Sequence, residues 1–285
     1  EVFEPPAVGN GDVLWAPSQP ITIHSRILHS LPVFVGAEVS PTKDSSPHLV
    51  AADRLARQQS AEDLAGLAED EALHALQVLR KITGDRIWVV DGKGGLYDTC
   101  IDSEDIQNCQ LNILALDKDH GKRNHYIHIA LAPPKSHDRI EVFVEKVVEI
   151  GIQEISFMIT DNSERNNVKL NRINKCSVAA MKQSLKAHLP HINDIVPMKD
   201  FMKNCRNSEK YMAHLNKDED NHLIKSIAIG NDYCILIGPE GDFSSSEINE
   251  STEYGFKPVS LGNNRLRTET AGLAACHILN LINEK

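Results

Sequence analysis

Two glycine-containing turns near the C-terminus constrain the fold of this chain more than any other feature. The first lies in Ile235–Phe243, which reads Ile-Leu-Ile-Gly-Pro-Glu-Gly-Asp-Phe. The second lies in Ser260–Ala275, which reads Ser-Leu-Gly-Asn-Asn-Arg-Leu-Arg-Thr-Glu-Thr-Ala-Gly-Leu-Ala-Ala. In each, a short apolar run typical of a strand leads into a turn and then into a helical pattern. Two such turns can form a compact pocket, built largely of backbone, that suits a small cofactor.

The composition fits a globular protein large enough for two domains. The chain has 285 residues, of which 41% are hydrophobic and 25% charged, and such values are ordinary for this class. No apolar run reaches the roughly 18 residues of a membrane-spanning helix, so we expect no membrane partner. The six cysteines lack Cys-x-x-Cys spacing, and the thirteen histidines show no metal-binding pattern. We therefore expect free thiols, a cytoplasmic location and no bound metal.

The charge is unevenly distributed along the chain. The net charge is −10 overall, but residues 121–205 hold 13 Lys or Arg against 9 Asp or Glu, a net of +4. Residues 1–75 hold 4 against 11, a net of −7. A protein that binds nucleic acid needs a basic face and not a basic total. The charge pattern therefore permits an RNA partner without requiring one.

The first part of the chain reads as an irregular segment followed by a small β-rich module. Residues 1–60 are interrupted by Pro, Ser and Gly, with one possible strand at Leu31–Gly36. Residues 61–80 carry leucines near a 3.6-residue spacing and predict a helix. Residues 84–97 predict two strands joined by a tight hairpin turn at Asp91–Gly92. We expect this module to help hold a partner.

The remainder alternates between apolar strands and amphipathic helices. Strands are predicted at residues 128–132, 155–159, 233–237 and 258–261, and helices at 140–150, 172–188 and 271–282. The first of these helices ends at Gly151, the usual C-terminal stop. Alternating strands and helices imply a mostly parallel sheet covered on both faces. We therefore divide the chain into an irregular segment, a β-rich module and an α/β domain, at residues 1–60, 61–118 and 125–285.

The Gly238–Gly241 turn has two readings. A glycine at the end of a strand lets a ligand approach the backbone, because no Cβ intervenes. The alternative is an ordinary strand-to-helix turn, in which a serine of Ser244–Ser246 caps a helix and Glu247 completes a capping box. Neither Gly-x-Gly-x-x-Gly nor a P-loop motif is present, so a phosphate cradle of either type is not supported.

The second turn is less easily explained as a simple helix start. In that simple reading Thr268 caps the helix. Arg265 and Arg267 would then oppose the helix dipole, which favours acidic groups in the first turn. Locally unfavourable choices of this kind tend to mark functional sites.

The segment that follows the predicted strand 155–159 adds a possible RNA face. Arg165 is able to bind phosphate or stack on a base, and it is equally compatible with a solvated loop charge. Lys182 and Lys186 are expected to share one helix face, where like charges repel unless an anion lies opposite.

Several ordered motifs resemble those of the RsmE-type SPOUT methyltransferases. They include the Gly238–Gly241 turn, Leu261-Gly262, Leu266–Ala271, the Ser163-Glu-Arg165 turn, and the helical segments Glu145–Ile152 and Ala180–Pro190. Further upstream, His74–Arg80, Gly84-Asp85 and Asp91–Gly94 resemble the PUA-like β-barrel of that family. The resemblance covers roughly residues 70–285, whereas residues 15–60 do not fit the family pattern.

The resemblance implies an α/β domain with a C-terminal trefoil knot, a rare exception to the rule against knotted chains, preceded by a PUA-like β-barrel. It also implies S-adenosylmethionine (SAM) as the cofactor, a homodimer, and 16S ribosomal RNA of the small ribosomal subunit as the partner. The implied reaction transfers the methyl group of SAM to N3 of a uridine in the decoding region. That atom is reachable only in an unpaired or flipped-out base.

The resemblance further implies roles for individual residues. The SAM-binding residues would be Leu236, Ile237, Gly238, Pro239, Glu240, Gly241, Leu261, Gly262, Leu266 and Thr268. The RNA-binding residues would be Arg80, Lys135, Arg139, Lys146, Lys169, Lys182 and Lys186. Arg165 and Arg267 would lie near the uridine, because the anion formed when N3 loses its proton needs positive charge nearby. Glu269 would orient these arginines or handle the proton.

Two alternatives stay open at this point. The chain could be a catalytically inactive RNA-binding factor of ribosome assembly, although an inactive site need not retain the glycine turn, Arg267 and Glu269. It could also be a SPOUT methyltransferase that acts on transfer RNA or on a ribose 2′-oxygen. The PUA-like module favours the uridine N3 reading, by analogy.

Overall fold

The computed structural model describes residues 13–15, 34–36, 64–214 and 221–284. The described residues cluster into two compact units. The first extends to Lys122 and also includes Met181–His188. The second comprises Arg123–Ala180 and the chain from Leu189 onwards. Most of the segment 1–60 lies outside the described residues.

The first unit is built on an antiparallel sheet of six strands. The strands are β1 (Val13–Trp15), β2 (Phe34–Gly36), β3 (Leu64–Gly66), β4 (Arg86–Val90), β5 (Leu96–Ile101) and β6 (Gln110–Asp117). Their order in the sheet is β1-β2-β4-β5-β6-β3, and every neighbouring pair is antiparallel. A short helix, α1 (Glu69–Leu73), follows β3 and continues as a π-helical turn over His74–Val78. Ile87, Val89 and Leu111 are among the apolar side chains buried at its core.

The helix predicted over residues 61–80 is wrong at its start. Leu64–Gly66 is a strand that pairs with β6, with Ala65 opposite Leu111. The leucine spacing misled the prediction, because Leu64 belongs to the strand while Leu73 and the buried Ala75 belong to the helical part. The strand expected at Leu31–Gly36 is confirmed over its second half.

The hairpin between β4 and β5 is confirmed, but its turn is wider than predicted. Asp91 is buried and its side chain organises the loop. Its Oδ1 atom accepts hydrogen bonds from the backbone N–H groups of Lys93 (2.8 Å) and Gly95 (2.9 Å). The Tyr97 hydroxyl donates to Asp91 Oδ2 over 3.2 Å. Burial, with the nearby Asp91 charge, raises the pKa of Tyr97 well above its usual value.

The second unit is an α/β domain with a parallel sheet. Its strands are β7 (Tyr126–Leu131), β8 (Glu154–Ile159), β9 (His191–Pro197), β10 (Glu209–Ala213), β11 (Asp232–Ile237) and β12 (Lys257–Val259). The order in the sheet is β12-β10-β11-β7-β8-β9, and every neighbouring pair is parallel. The connecting helices are α2 (His137–Ile150), α3 (Leu170–Gln183), α4 (Met198–Asn204), α5 (Leu223–Ser226), α6 (Ser245–Glu253) and α7 (Thr268–Asn283). The predicted parallel sheet is confirmed.

Individual boundaries differ from the predicted ones. Helix α3 ends at Gln183 and not at residue 188, because Leu185 adopts a left-handed conformation with φ of +53°. The expectation that Lys182 and Lys186 share a helix face is therefore wrong. Strand β12 ends at Val259, and α7 begins at Thr268 rather than at Ala271. In contrast, α2 ends as predicted, at Gly151 with φ of +116°.

The last helix packs closely against α2 and the sheet. Gly272 of α7 lies where a Cβ atom would come within 2.5 Å of Cε2 of Phe143 and 3.4 Å of Cδ1 of Leu131. The buried side chain of Asn280 donates to the carbonyl of Gly151 over 2.8 Å. These contacts hold the C-terminal helix against the core. No helix in the described part of the chain is long and apolar enough to cross a membrane.

We predict that Gly272→Val lowers the free energy of unfolding by about 2–3 kcal/mol, because overpacking a closely fitted core costs about 1–3 kcal/mol and a branched side chain is at the upper end. Urea denaturation followed by circular dichroism measures the change. His277→Val is the matched control, since His277 is exposed on the same helix, and it should change stability by no more than about 0.5 kcal/mol. Equal denaturation midpoints for the two variants would contradict the packing argument.

Candidate active site

The carboxyl ends of β10, β11 and β12 meet at one edge of the parallel sheet and surround a cavity of about 360 Å³. Ligands of open α/β sheets generally bind at this edge. The cavity is lined by Ala213, His214, Ile237, Gly238, Pro239, Glu240, Gly241, Asp242, Val259, Leu261, Gly262, Asn264, Arg265, Leu266, Thr268 and Ala271. Nine of the ten residues predicted to bind the cofactor are in this set, and the tenth, Leu236, is a fully buried residue of β11.

The turn after β11 is closely packed on its outer side. A Cβ atom on Gly238 would lie 3.0 Å from the Phe243 ring, and one on Gly241 would lie 3.2 Å from Cβ of Asn162. Both positions are therefore tight for a side chain. Pro239 accepts a hydrogen bond at its carbonyl from the N–H of Asp242 over 3.0 Å, which closes the turn.

The helix-capping reading of this turn is confirmed and does not exclude a ligand. Ser244 is the N-cap of α6, and its hydroxyl accepts from the N–H of Glu247 over 3.3 Å. The Glu247 carboxylate accepts in return from the N–H of Ser244 over 2.8 Å. The same carboxylate also accepts from the N–H of Asp161 over 2.9 Å. Glu247 thus joins the start of α6 to the turn after β8.

The turn after β12 leads into α7 in a different way from the one predicted. Arg267 is the N-cap residue, and Thr268 is the first residue of the helix. The simple reading, in which Thr268 caps the helix, is wrong. Its buried hydroxyl donates instead to the carbonyl of Gly238 over 3.0 Å, which joins the two turns. Arg265 precedes the helix, and the first turn carries the favourable Glu269, so the predicted dipole conflict does not arise within α7.

Arg265 and Arg267 are exposed. Neither guanidinium group has a hydrogen bond or an ion pair to another residue in the described part of the chain. Arg265 lines the cavity, and Arg267 stands between two lining residues, Leu266 and Thr268. Two guanidinium groups are therefore available beside the cavity for an anionic ligand or substrate.

Arg165 is already bound to the protein backbone. Its guanidinium donates to the carbonyl of Pro134 over 3.3 Å and to that of Lys135 over 2.5 Å. These bonds hold together the segments that follow β7 and β8. Lys135 pairs with Glu164 at 2.9 Å, and this hydrogen bond raises the pKa of Lys135. Since both side chains are mostly exposed, the pair stabilises the fold little.

Arg139 lies between two carboxylates. Its Nη1 atom is 3.7 Å from Oε1 of Glu240, in the turn after β11. Its Nε atom is 3.8 Å from Oε1 of Glu269, in the first turn of α7. The other carboxylate oxygen of Glu269 is buried and has no hydrogen-bond partner among the described residues. Arg139 therefore connects the two cavity loops, and Glu269 is not one of the lining residues.

Some of the other predicted RNA-binding residues already pair with carboxylates of this chain. Lys146 pairs with Glu145 (2.6 Å) and Glu149 (3.0 Å), and these hydrogen bonds raise its pKa. Lys182 forms a largely buried pair with Glu71 at 2.9 Å. Lys169 is exposed in the second unit. Arg80 and Lys186 belong to the first unit, as Lys182 does. RNA binding by these residues stays a prediction.

Two titratable lining residues, His214 and Asp242, were not among the predicted site residues. His214 follows β10, and its Nδ1 atom lies 3.1 Å from Oδ2 of Asp242, within the turn after β11. The only signal that could have revealed His214 was its position at the end of a strand, and β10 was not predicted. No group of three or more His, Cys, Asp or Glu in the described ranges is placed to hold a metal ion.

Comparison with known proteins identifies the class. Residues 122–280 match the family model of the RNA methyltransferase domain, and residues 67–114 match that of the RNA methyltransferase PUA domain. The chain belongs to the RNA methyltransferase domain family. The predicted fold class, a SPOUT α/β domain preceded by a PUA-like module, is confirmed, and so is the RsmE-type resemblance.

The individual relatives are ribosomal RNA methyltransferases. Ribosomal RNA small subunit methyltransferase E of Rickettsia conorii is 28% identical over 226 residues, which cover 78% of this chain and 90% of that protein. A crystal structure of a probable rRNA-methyltransferase from Porphyromonas gingivalis is 38% identical with a TM-score of 0.71, covering 76% and 94% of the two chains. Ribosomal RNA small subunit methyltransferase E from Neisseria gonorrhoeae, bound to S-adenosyl methionine, is 25% identical with a TM-score of 0.70, covering 79% and 94%.

We predict that Thr268→Val raises the Kd for SAM about 3- to 10-fold, the effect of losing one hydrogen bond of about 0.5–1.5 kcal/mol. The change preserves side-chain shape but leaves the Gly238 carbonyl without its donor, which loosens the contact between the two turns. Isothermal titration calorimetry measures the effect. Thr270→Val makes the same chemical change at an exposed position of α7 and should leave the Kd unchanged. An unaltered Kd for Thr268→Val would show that this bond does not organise the cavity.

Proposed function

We propose that this chain transfers the methyl group of SAM to N3 of a uridine in 16S ribosomal RNA, in the decoding region of the small ribosomal subunit. The observation that carries the proposal is the cavity between the two glycine turns, beside Arg265 and Arg267, in a chain of the RNA methyltransferase family. The family and the relatives make the chain a SAM-dependent rRNA methyltransferase. The choice of uridine N3 rests on the motif resemblance.

The residues around the cavity fit SAM. A volume of about 360 Å³ lies within the range of small-molecule sites, about 300–1,000 Å³. Gly238 and Gly241 present their backbone to the cavity, and a side chain at either position would be crowded by Phe243 or Asn162. Ile237–Gly241 would bind the cofactor on one side, and Leu261, Gly262, Leu266 and Thr268 on the other, while Leu236 supports them from the core.

The chemistry at the base needs positioning and positive charge. When bound, SAM supplies a methyl group activated by its sulfonium. Uracil N3 must lose its proton, and positive charge nearby stabilises the anion that forms. Arg267 is exposed beside the cavity, and its guanidinium group has no partner among the described residues, so it is available for this role. Arg165 would support the uridine side by holding the segments after β7 and β8 in place.

Glu269 would act through Arg139. Its carboxylate lies near Arg139 and outside the cavity lining, which favours the orienting role over direct handling of the proton. Arg139 would then fix the distance between the two cofactor turns. Lys135, Arg139 and Lys169 follow the carboxyl ends of β7 and β8, on the same edge of the sheet as the cavity, where they would meet the RNA backbone.

Four further proposals accompany this function. Lys146 of the second unit, and Arg80, Lys182 and Lys186 of the first, would each bind RNA, and for Lys146 and Lys182 this binding would compete with their glutamate partners. The family resemblance favours a homodimer, and a ribosomal RNA substrate favours a cytoplasmic location. Residues 61–118 would form the domain that binds RNA, and residues 125–285 would form the catalytic domain.

The reaction itself is tested with small ribosomal subunits from a strain that lacks the modification. We predict that incubation with the protein and SAM produces 3-methyluridine in 16S RNA, detected by mass spectrometry of nucleosides. SAM binding without methyl transfer to any RNA would favour the inactive assembly factor. A methylated ribose or a methylated transfer RNA would favour the other SPOUT activities.

The arginine assignments have their own test. We predict that Arg267→Gln lowers kcat about 100-fold, the usual effect of removing one group that stabilises a developing anion, while the Kd for SAM stays within about 2-fold. Arg165→Ala should also reduce methyl transfer and keep SAM binding. Lys257→Gln is the matched control, because Lys257 is exposed at the amino end of β12, opposite the cavity. A loss of SAM affinity in either arginine variant would refute its place on the RNA side.

A further inference from the structure

The His214–Asp242 pair lies within the cavity lining and has no role in the function proposed above. The two side chains come from different turns, since His214 follows β10 and Asp242 follows β11. The Nδ1 atom of His214 is 3.1 Å from Oδ2 of Asp242. The backbone N–H of His214 also donates to the carbonyl of Val259, over 3.1 Å, so the residue touches all three strand ends that surround the cavity.

The backbone of Asp242 shows that this residue is held in place. Its φ is +63°, a left-handed conformation that few residues with a side chain adopt. Its N–H donates to Pro239, and its carbonyl accepts from the amide of Asn162 over 2.9 Å. A glycine would adopt this conformation without strain. Strained residues of this kind cluster at ligand sites, and the hydrogen bond with His214 is a reason for a carboxylate here.

The pair determines which nitrogen of His214 carries the proton. An ionised carboxylate only accepts hydrogen bonds, so Nδ1 must be the protonated nitrogen. In the neutral ring Nε2 is then a hydrogen-bond acceptor. Asp242 thereby orients the ring and gives it an acceptor, in the way that a carboxylate orients a catalytic or metal-binding histidine.

The charges around the cavity match the cofactor. The ionised side chains in the lining are those of Glu240, Asp242 and Arg265, a net of −1 with His214 neutral. SAM carries a sulfonium and an α-ammonium group against one carboxylate, a net of +1. The hydrogen-bond donors of SAM are the adenine amino group, the ribose hydroxyls and the ammonium group, and the last two of these flank the sulfonium on either side.

We propose that His214, oriented by Asp242, accepts a hydrogen bond from a donor of SAM that flanks the sulfonium, and that the pair is a cofactor-binding element of this chain. The proposal rests on the function proposed above, because it takes SAM to be the ligand of this cavity. It adds a side-chain contact to a site that is otherwise built mainly from backbone.

Two substitutions of His214 separate binding from structure. In His214→Asn the amide nitrogen takes the place of Nδ1 and keeps the bond to Asp242, but the acceptor at Nε2 is lost. In His214→Gln the amide oxygen takes the place of Nε2 and keeps the acceptor, but the bond to Asp242 is lost. We expect His214→Asn to raise the Kd for SAM about 5- to 10-fold and His214→Gln to raise it no more than about 3-fold.

Asp242→Gly supplies the matched change on the other side of the pair. This change removes the carboxylate and also removes the strain of the left-handed conformation, so the melting temperature should stay near that of the unaltered protein. The Kd for SAM should rise about 3- to 10-fold. In the His214→Gln background the same change should have little further effect, because the acceptor there does not depend on Asp242. Calorimetric titration and thermal melts provide both quantities.

The reversed order, with His214→Asn binding SAM normally and His214→Gln binding it poorly, would overturn the proposal, because His214 would then only hold Asp242 in place. Equal affinities for all variants would overturn it too. Titration with 5′-deoxy-5′-methylthioadenosine, which lacks the amino-acid part, locates the donor. A weakened affinity of His214→Asn for this compound identifies a ribose hydroxyl, and an unaltered one identifies the ammonium group. If the unaltered protein fails to bind SAM, the proposed function itself is wrong.

Discussion

The parallel alignment of β10, β11 and β12 is the constraint on which the site depends. Tyr211 lies opposite Ile235 on one side and Lys257 on the other, so the three strands end at the same level of the sheet. The segments that leave these ends surround the cavity, although they are far apart in sequence. A slip of β12 relative to β10 would displace the turn before α7 and remove one wall of the site, because each residue of slip moves a strand by about 3.3 Å.

Few contacts hold the cavity loops, and each joins segments that are distant in the chain. The Thr268 hydroxyl joins α7 to the turn after β11, Arg139 joins both of these to α2, and Glu247 joins α6 to the turn after β8. All of them lie at the carboxyl edge of the sheet. The core beneath is apolar, with Ile235 and Leu236 fully buried. The apolar core and the polar loop contacts have different roles. Apolar packing is not directional and supplies stability, whereas hydrogen bonds are directional and fix the geometry of the loops.

The sequence predicted local features well and long-range ones poorly. The glycine turns, the capping box of α6 and the end of α2 at Gly151 depend on a few adjacent residues, and each was recognised. Strand β10 was missed because Glu209–Ala213 begins with two charged residues and is only five residues long. His214, which follows this strand directly, was therefore not recognised as a site residue. Arg139 reads as an RNA-binding cation in the sequence, and only the folded chain places it between Glu240 and Glu269. Such pairings depend on tertiary contacts that no local pattern encodes.

Because Thr268 supplies the hydroxyl that joins the two turns, the cofactor site depends on α7, which follows all six strands of the parallel sheet in the sequence. A chain that stopped between β12 and α7 would contain all six of these strands, yet it would lack a wall of the cavity and the helix that packs against α2 through Gly272. Cofactor binding therefore reports that α7 has packed against the sheet. A chain truncated before α7 would not bind SAM, and SAM would stabilise only molecules in which α7 is in place.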